Sequence, residues 1–366
     1  MDQEGRLPRL QEELSRHRLD SLLITHLPNI RYLCGFTGSA GALLVSERAT
    51  VFFTDARYTS QARQEVQGSK IVIGRKAPLV AAAAWMARNS NRRRDLRRPV
   101  VGIEGEYLTV AGRKRLATVL TSGFRLREAP PLIEQARMVK DAEEIGRLRA
   151  AVLLGASVFE VARGTIRPGV RESEIAAEME YAARRAGAQD MSFPTIIAAG
   201  ARSALPHGRA SDQPIPAEGF VVCDFGVILA GYCSDMTRTV YVGRRTQEAR
   251  RVYQAVRDAQ QAAVNEVRPG IRVGEVDRTA RKILRKSGLG PHFTHSTGHG
   301  VGLEIHEAPR LAAGQTEMLR PGMVITIEPG VYIPGKWGVR IEDVVVVTER
   351  GCEVLTPTSK DFIAVE

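Results

Sequence analysis

Five residues in the second half of the chain have the types and settings of metal ligands. They are Asp224, Asp235, His299, Glu328 and Glu342. Each lies in a short apolar or glycine-flanked stretch, such as VVCDFGV for the first and VITIEPGVY for the fourth. A carboxylate in a buried strand is costly unless a cation compensates its charge. Four such carboxylates in one domain therefore predict a shared cationic partner, most simply a pair of divalent metal ions.

Two divalent ions held in this way would support hydrolysis. Carboxylates can bridge two ions because each offers two oxygens, and ions ~3.5–4 Å apart make a water molecule reactive near neutral pH. Oxygen ligands with one imidazole favour Mn²⁺, Co²⁺ or Fe²⁺ over a structural zinc site. We expect two divalent ions per chain, with Mn²⁺ first and Co²⁺, Zn²⁺ or Fe²⁺ as alternatives. For Glu342 alone, a surface position at a strand end is an alternative, because Asp343 is adjacent.

Histidines cluster beside these residues. His292, His295, His299 and His306 lie close together in the chain. The spacing of His295 and His299 would form a metal-binding face on a helix, but the glycines of STGHGVG argue against a helix there. We therefore assign only His299 to a metal. We expect His295 and His306 to be hydrogen-bond donors or acid–base groups at a substrate, and His292 to be a loop residue.

The elements that precede this region predict an α/β domain with a mixed sheet over residues 1–128. Helical patterns cover residues 6–18, 56–67, 78–89 and 108–121, and apolar strand-like runs cover 21–26, 41–46, 50–54, 70–74 and 99–104. The second and third of these runs are separated by Glu47-Arg48, which indicates a hairpin. Residues 129–140 contain Pro130-Pro131 and are typical of a linker.

The candidate ligands belong to a second predicted domain, residues 141–366, which contains a faint internal duplication. Asp141-x-x-Glu144 opens its first helix as a capping box, and later helices cover 172–186, 246–267 and 273–287. The duplicated positions include Arg167 with Arg268, His207 with His306, Asp224 with Glu328, and Asp235 with Glu342. The pattern predicts two half-domains related by a pseudo-two-fold axis, each contributing two carboxylates to a central cleft. Only the second half supplies His299.

Bulk composition narrows the class of protein. The chain has 366 residues, 43% of them hydrophobic, and a net charge of +11. The densest basic cluster, residues 91–98, contains no aromatic residue, which favours a solvated loop over a nucleic-acid site. No apolar run approaches the ~20 residues of a membrane span, and the N-terminus does not resemble a secretory signal. Four irregularly spaced cysteines show no disulfide framework, so we expect a cytoplasmic protein without nucleic-acid or membrane partners.

The motifs around the candidate ligands resemble those of the M24 metallopeptidase family, the pita-bread fold. The resemblance is strongest to its aminopeptidase P and prolidase branch. It is carried by ALPHG, the DFG at Asp224, GYCSDMTRT, HSTGHGVGLEIHE, ITIEPGVY and VRIED. NIRYLCGFTGS and FFTDARY look like the creatinase-type N-terminal domain. The resemblance thus covers nearly the whole chain. It implies a creatinase-like domain followed by an α+β pita-bread catalytic domain.

This resemblance implies a role for each candidate ligand. Asp224 would bind one metal ion, Asp235 and Glu342 would bridge the two ions, and His299 and Glu328 would bind the other. Glu328 would also take a proton from the attacking water and pass it to the leaving nitrogen.

The resemblance also implies roles for residues that contact the substrate. His207 and His306 would hydrogen-bond the substrate and its tetrahedral intermediate, and His295 would lie on the proline side. Arg340 would support the ligands or gate the substrate, with a salt-bridged strand arginine as the alternative. Arg310 would bind a substrate carboxylate, with a plain surface arginine as the alternative.

The reaction implied by the resemblance is hydrolysis of the bond that precedes proline. NIRYLCGFTGSAG is more like the aminopeptidase P type, so we expect peptides with proline at the second position as substrates. A prolidase, which cleaves Xaa-Pro dipeptides, is the alternative. Methionine aminopeptidase and creatinase fit less well, because the first usually lacks the N-terminal domain and the second lacks the metal cluster. A non-enzymatic pita-bread binding protein is a third hypothesis. The family also suggests a homodimer.

Overall fold

A computed structural model describes residues 5–89 and 98–365. The basic cluster at residues 91–98 lies, except for its last residue, outside the described part. The chain divides into two compact units, Met1–Arg137 and Met138–Glu366. Within the described residues, no helix combines the length and apolar character that crossing a bilayer requires. All four cysteines are free thiols.

The first unit alternates helices with the strands of one sheet. Its helices are α1 Arg6–Arg16, α2 Leu27–Cys34, α3 Thr59–Glu65, α4 Pro78–Asn89, α5 Val110–Leu120 and α6 Leu132–Met138, the last reaching the unit boundary. Its strands are β1 Ser21–Ile24, β2 Ala42–Ser46, β3 Thr50–Asp55, β4 Lys70–Gly74, β5 Val100–Ile103 and β6 Arg125–Glu128.

The sheet of this unit has the order β4-β3-β2-β1-β5-β6. The pairs β1–β2 and β2–β3 are antiparallel, whereas β3–β4, β1–β5 and β5–β6 are parallel. The mixed α/β sheet and the hairpin at residues 41–54 are therefore confirmed. The central strands are buried on both faces and read as continuous apolar runs, which explains why they were recognisable in the sequence.

Two helices of this unit differ from the sequence-based expectations. Helix α2 was not predicted, although it has Pro28 near its start and Gly35 after its end with φ of 85°, which is a typical helix stop. Helix α6 lies inside residues 129–140, which were expected to form a linker. It begins directly after Pro130-Pro131 and buries Leu132 and Ile133, so the two prolines start a helix here.

The second unit contains four long helices and many short strands. The helices are α7 Ala142–Thr165, α8 Glu172–Arg185, α9 Gln247–Glu266 and α10 Val273–Lys286. The strands are β7 Asp190–Met191, β8 Ile196–Ala199, β9 Gly219–Phe225, β10 Val227–Leu229, β11 Tyr232–Cys233, β12 Met236–Val242, β13 Gly298–Gly300, β14 Glu307–Leu311, β15 Val324–Ile327, β16 Gly330–Ile333, β17 Trp337–Arg340, β18 Asp343–Val347, β19 Cys352–Val354 and β20 Ala364–Val365. The predicted capping box at Asp141 and Glu144 opens α7.

The second unit repeats one arrangement twice. In the first half, β9 pairs with both β8 and β12 in antiparallel fashion, and α7 and α8 pack on these strands. In the second half, β15 pairs in the same fashion with β13 and β18, and α9 and α10 cover them. Each half has its own apolar core. The internal duplication of the sequence is therefore a duplication of structure.

Candidate active site

One cavity of the second unit, with a volume of about 630 Å³, gathers all the residues that the sequence nominated. Its lining includes His207, Asp224, Asp235, His295, His299, His306, Arg310, Glu328, Arg340 and Glu342. Residues separated by more than a hundred positions meet here because the two halves face one another.

The strand pairs deliver the acids in matching positions. Asp224 lies in β9 opposite Thr237 of β12, and Asp235 directly precedes β12. In the second half, Glu328 directly follows β15 and Glu342 directly precedes β18. The β15–β18 register pairs Ile327 with Asp343, so Glu328 and Glu342 are neighbours. Both pairs of carboxylates therefore sit at the ends of antiparallel strand pairs.

The centre of the constellation has the dimensions of a metal site. Ligand atoms of Asp235, His299 and Glu342 lie within 4.8 Å of one another. The Nε2 atom of His299 is 3.5 Å from Asp235 Oδ2 and 3.4 Å from Glu328 Oε1. These separations are wider than ordinary hydrogen bonds, and a cation bound by the same oxygen and nitrogen atoms would lie between them.

His299 is held in the tautomer that a metal ligand needs. Its Nδ1 lies 2.9 Å from the carbonyl oxygen of Gly300, which can only accept, so Nδ1 carries the proton and Nε2 offers its lone pair. Burial lowers the pKa of His299 to about 4, which keeps the ring neutral. A neutral imidazole with its far nitrogen hydrogen-bonded is the usual state of a metal-binding histidine.

The buried acids carry more negative charge than their protein surroundings offset. Burial, with the repulsion of neighbouring carboxylates, raises the pKa of Asp235 and of Glu342 well above the ordinary range. Burial also raises the pKa of Glu328, to about 8. Three destabilised carboxylates and one oriented imidazole form a donor set that suits divalent cations. The residues present therefore fit the two ions that the sequence suggested.

The fourth acid differs, because an arginine compensates it. Nη2 of Arg340 donates to Asp224 Oδ2 in an ion pair whose two side chains are almost fully buried. The same guanidinium donates from Nη1 to the hydroxyl of Tyr332 at 2.5 Å and to the carbonyl of Pro206 at 3.0 Å. Its Nε donates to Thr237 at 3.1 Å. Through these contacts Arg340 is a buried, salt-bridged arginine on a strand, and its guanidinium supports Asp224.

Tyr332 connects this arginine to His295. Nδ1 of His295 lies 2.8 Å from the carbonyl of Ser296, so this nitrogen carries the proton, and Nε2 accepts from the hydroxyl of Tyr332 at 2.9 Å. Burial raises the pKa of Tyr332 to about 12 and, with the nearby charge of Arg340, lowers the pKa of His295 to about 3. Both side chains are therefore neutral, and both ring nitrogens of His295 are engaged.

His207 and His306 are more exposed than the groups just described. The ring of His306 packs edge-on against that of His299, with centroids 4.4 Å apart. Partial burial lowers the pKa of His306, and the proximity of His207 lowers it further. Two imidazoles from matching positions of the two halves thus border the same cavity. They can donate hydrogen bonds to an oxyanion there.

Comparison with known proteins decides the family. Residues 146–349 match metallopeptidase family M24, and residues 6–139 match the creatinase/prolidase N-terminal domain. The chain is 36% identical to the Xaa-Pro dipeptidase of Pyrococcus furiosus over 98% of this chain and 99% of that protein. This chain belongs to the M24 metallopeptidase family. Its second unit is accordingly a pita-bread catalytic domain, and the protein is a metallo-exopeptidase.

Solved structures of this family support the fold along the whole chain. The Xaa-Pro dipeptidase of Bacillus anthracis is 37% identical, with a TM-score of 0.94 and complete coverage of both chains. The X-Pro aminopeptidase of Thermotoga maritima is 34% identical, with a TM-score of 0.87 over 98% of this chain and 100% of that chain. The chain is therefore similar in structure to enzymes named Xaa-Pro dipeptidase and to one named X-Pro aminopeptidase.

Sequence reasoning missed several residues of this M24 site. Thr237 donates to Glu342 Oε2 at 2.7 Å, and Thr326 accepts from the backbone of His299 at 3.1 Å. Tyr332 links Arg340 and His295, and Arg209 lines the cavity. The threonines and the tyrosine lie inside quoted motifs, GYCSDMTRT and ITIEPGVY among them. A polar residue that alternates with a buried acid along a strand was the available signal.

Proposed function

We propose that this protein hydrolyses the Xaa-Pro bond of dipeptides, with two divalent metal ions held by Asp224, Asp235, His299, Glu328 and Glu342. Divalent ions bound there would offset the buried carboxylates and make a water molecule acidic enough to react near neutral pH. The proposal rests on the donor set described above and on relatives named Xaa-Pro dipeptidase. Mn²⁺ is the first candidate, followed by Co²⁺, Zn²⁺ and Fe²⁺.

In this proposal Glu328 is the acid–base group. Its carboxyl group lines the cavity, and Oε1 lies 3.4 Å from Nε2 of His299 among the other candidate ligands. It would accept a proton from the attacking water and deliver it to the proline nitrogen. That delivery is needed because an amine anion is a poor leaving group, so the proline nitrogen must gain a proton as its bond to the carbonyl carbon breaks. His207 and His306 would donate to the oxyanion, and the buried carboxylates would attract the free amino group.

The preference for dipeptides is supported by two arginines in the cavity. Arg209 and Arg310 are exposed, and both line the cavity. Within the described residues, neither guanidinium lies within 4 Å of a carboxylate, as an ion pair would require. A dipeptide presents its carboxylate directly on the proline ring, within reach of such groups, whereas a longer peptide moves its carboxylate away. Arginine binds carboxylates with two parallel hydrogen bonds.

The aminopeptidase P reading, which the sequence favoured, is the second candidate. It is supported by the structural likeness to the X-Pro aminopeptidase of Thermotoga maritima. The sequence features that suggested it lie in the first unit. The Xaa-Pro dipeptidase of Bacillus anthracis has a higher identity and TM-score than that aminopeptidase, and it favours the dipeptide reading. The expected homodimer, cytoplasmic location and absence of a nucleic-acid partner stay predictions.

A comparison of substrate lengths tests the proposal. Leu-Pro, Leu-Pro-amide and Leu-Pro-Gly would be assayed with Mn²⁺, Co²⁺ and Zn²⁺ in turn. We expect kcat/KM to be at least about tenfold higher for Leu-Pro than for its amide, because the amide lacks the carboxylate. Arg310→Met should remove most of this difference by raising KM for Leu-Pro. Equal or better cleavage of Leu-Pro-Gly would instead support the aminopeptidase reading.

A further inference from the structure

A buried carboxylate outside the cavity anchors the segment that carries His207. Glu172 is the first residue of α8 and is completely buried. It does not line the cavity. Such a group must be fully hydrogen-bonded to be tolerated. Its partners all belong to residues 199–211, the connection between β8 and the loop that leads into β9.

The contacts of Glu172 reach both ends of that segment. Oε1 accepts from the backbone N–H of Ala199 at 2.8 Å. Oε2 accepts from the backbone N–H of Ser211 at 3.1 Å and from its hydroxyl at 2.6 Å. Nε of Arg202 donates to both oxygens, at 3.2 and 3.0 Å. One side chain therefore closes a loop whose ends are twelve residues apart in sequence.

Arg202 extends the anchor to the far side of the loop. Its Nη2 donates to the carbonyl oxygen of Arg209 at 2.7 Å. His207 thus lies between two points that the same ion pair holds, Arg202 and Arg209. The loop also supplies the carbonyl of Pro206 that Arg340 contacts. Displacement of this loop would move His207 and release one acceptor of Arg340 together.

The second half contains a parallel arrangement. Asp277 of α10 is completely buried, pairs with Arg281, and accepts from the hydroxyl of Thr297 at 2.8 Å. Arg281 donates to the carbonyl oxygens of Phe293 and of His295, at 3.0 and 2.6 Å. In each half, an acid on the second helix and an arginine hold the backbone around a histidine of the cavity.

We propose that Glu172 and Arg202 are positioning residues that set the place of His207 in the cavity. The inference rests on the proposed function, because His207 matters only if it contacts the substrate. A positional error of about 1 Å in such a group can lower turnover about a hundredfold. Glu172→Gln keeps the size of the side chain but replaces an accepting oxygen by an NH₂ group. It therefore breaks the contacts with Ser211 and weakens the pair with Arg202.

The test is a double-mutant cycle on Leu-Pro hydrolysis by the full chain supplied with Mn²⁺. Glu172→Gln and Arg202→Met should each lower kcat/KM by about 10- to 100-fold. In a His207→Ala background the same changes should cost less than about twofold, because the group that they position is absent. Glu178→Gln, an exposed acid on the same helix, is the matched control and should leave kcat/KM unchanged.

Two further measurements separate positioning from general damage. Affinity for Mn²⁺, measured by calorimetry, should stay within about twofold in Glu172→Gln, because no candidate ligand lies on the loop. Hydrogen exchange should accelerate at the amides of residues 199–211 but not in β15 or β18. Losses that are additive with His207→Ala, or an unchanged loop and unchanged kcat/KM, would overturn the positioning role. An inactive wild-type protein would instead overturn the proposed function itself.

Discussion

The two halves of the catalytic unit supply the same number of acids but treat them differently. In the first half, Asp224 is compensated by Arg340, which comes from the second half. In the second half, Glu342 receives a hydrogen bond from Thr237, which comes from the first half. A third contact follows the same rule, since Arg238 of the first half forms a buried ion pair with Asp343 of the second. The pseudo-two-fold symmetry therefore sets the positions of the acids, and contacts from one half to the other set the differences between their surroundings.

This difference has a chemical consequence. Asp224 has an arginine as its ion-pair partner. Among the described residues Asp235, Glu328 and Glu342 form no ion pair with an arginine, and burial raises the pKa of each of these three acids. Among the described residues, the second half also supplies the only imidazole within 4 Å of any of these three acids, that of His299. The duplicated fold thus contains one acid that an arginine compensates and three acids that depend on a bound cation. Substitutions at the two kinds of acid should give different effects.

The largest effect is expected at Glu328, the acid–base candidate of the second half. Glu328→Gln should lower kcat for Leu-Pro about a thousandfold or more, because the amide cannot carry a proton between water and the proline nitrogen. Circular dichroism should show an intact fold. Glu349→Gln, on an exposed turn, is the control. Substantial remaining turnover would remove Glu328 from this role.

The next effect concerns the two arginines that cross between the halves. Arg340→Met should lower the free energy of unfolding by about 3–5 kcal/mol, because it leaves the buried carboxylate of Asp224 unpaired. Arg238→Met should lower it less, because Asp343 keeps its ion pair with Lys360. Only Arg340 contacts Asp224 and Tyr332. We therefore expect Arg340→Met to lose the greater share of kcat/KM when the variants are compared at equal folded fraction. Equal losses of kcat/KM would show that the contacts of Arg340 with Asp224 and Tyr332 have no special role in catalysis.

A smaller effect is expected where a threonine of the first half supports an acid of the second. Thr237→Val removes the hydrogen bond to Glu342 and should weaken Mn²⁺ binding about 10-fold. Thr326→Val should weaken it less, because the hydroxyl of Thr326 is 3.5 Å from Glu328 Oε1. Calorimetric titration of both variants measures the difference. The reverse order would contradict the assignment of Thr237 as the main support.

The smallest effect is a pH dependence of the metal-free protein. Between pH 6.5 and 8.5 the folded state loses the proton of Glu328, whose pKa is raised to about 8, whereas the unfolded state has already lost it. The fold therefore becomes less stable with rising pH, by about 2 kcal/mol from this group alone. The buried histidines His295 and His299 have lowered pKa values, so they affect the stability only below this pH range.

Urea unfolding at both pH values, in EDTA and in Mn²⁺, measures this dependence. Glu328→Gln should flatten the metal-free curve, and Mn²⁺ should stabilise the wild-type protein more at pH 8.5 than at pH 6.5, because metal ligands bind in their deprotonated form. A metal-free protein whose stability rises across this range would contradict the picture of uncompensated carboxylates.

The sequence by itself determined which residues could meet in one site and that two related halves are present. Acids in apolar runs are costly enough to predict a cationic partner, and a repeated order of residues predicts a repeated fold. The mixed sheet of the first unit could be read from its apolar runs for the same reason. Helix α2 was missed because its eight residues are too few for a clear helical period.

Only the tertiary structure decided which partner each residue has. Nothing in VRIED distinguishes an arginine that binds a substrate from one that neutralises Asp224, because the two residues are 116 positions apart. The hydrogen bond between His295 and Tyr332 and the anchoring of the His207 loop by Glu172 are likewise contacts between segments that are distant in the sequence. A local sequence pattern indicates that a buried polar or charged residue needs a partner, and the packing of the two halves determines which residue is that partner.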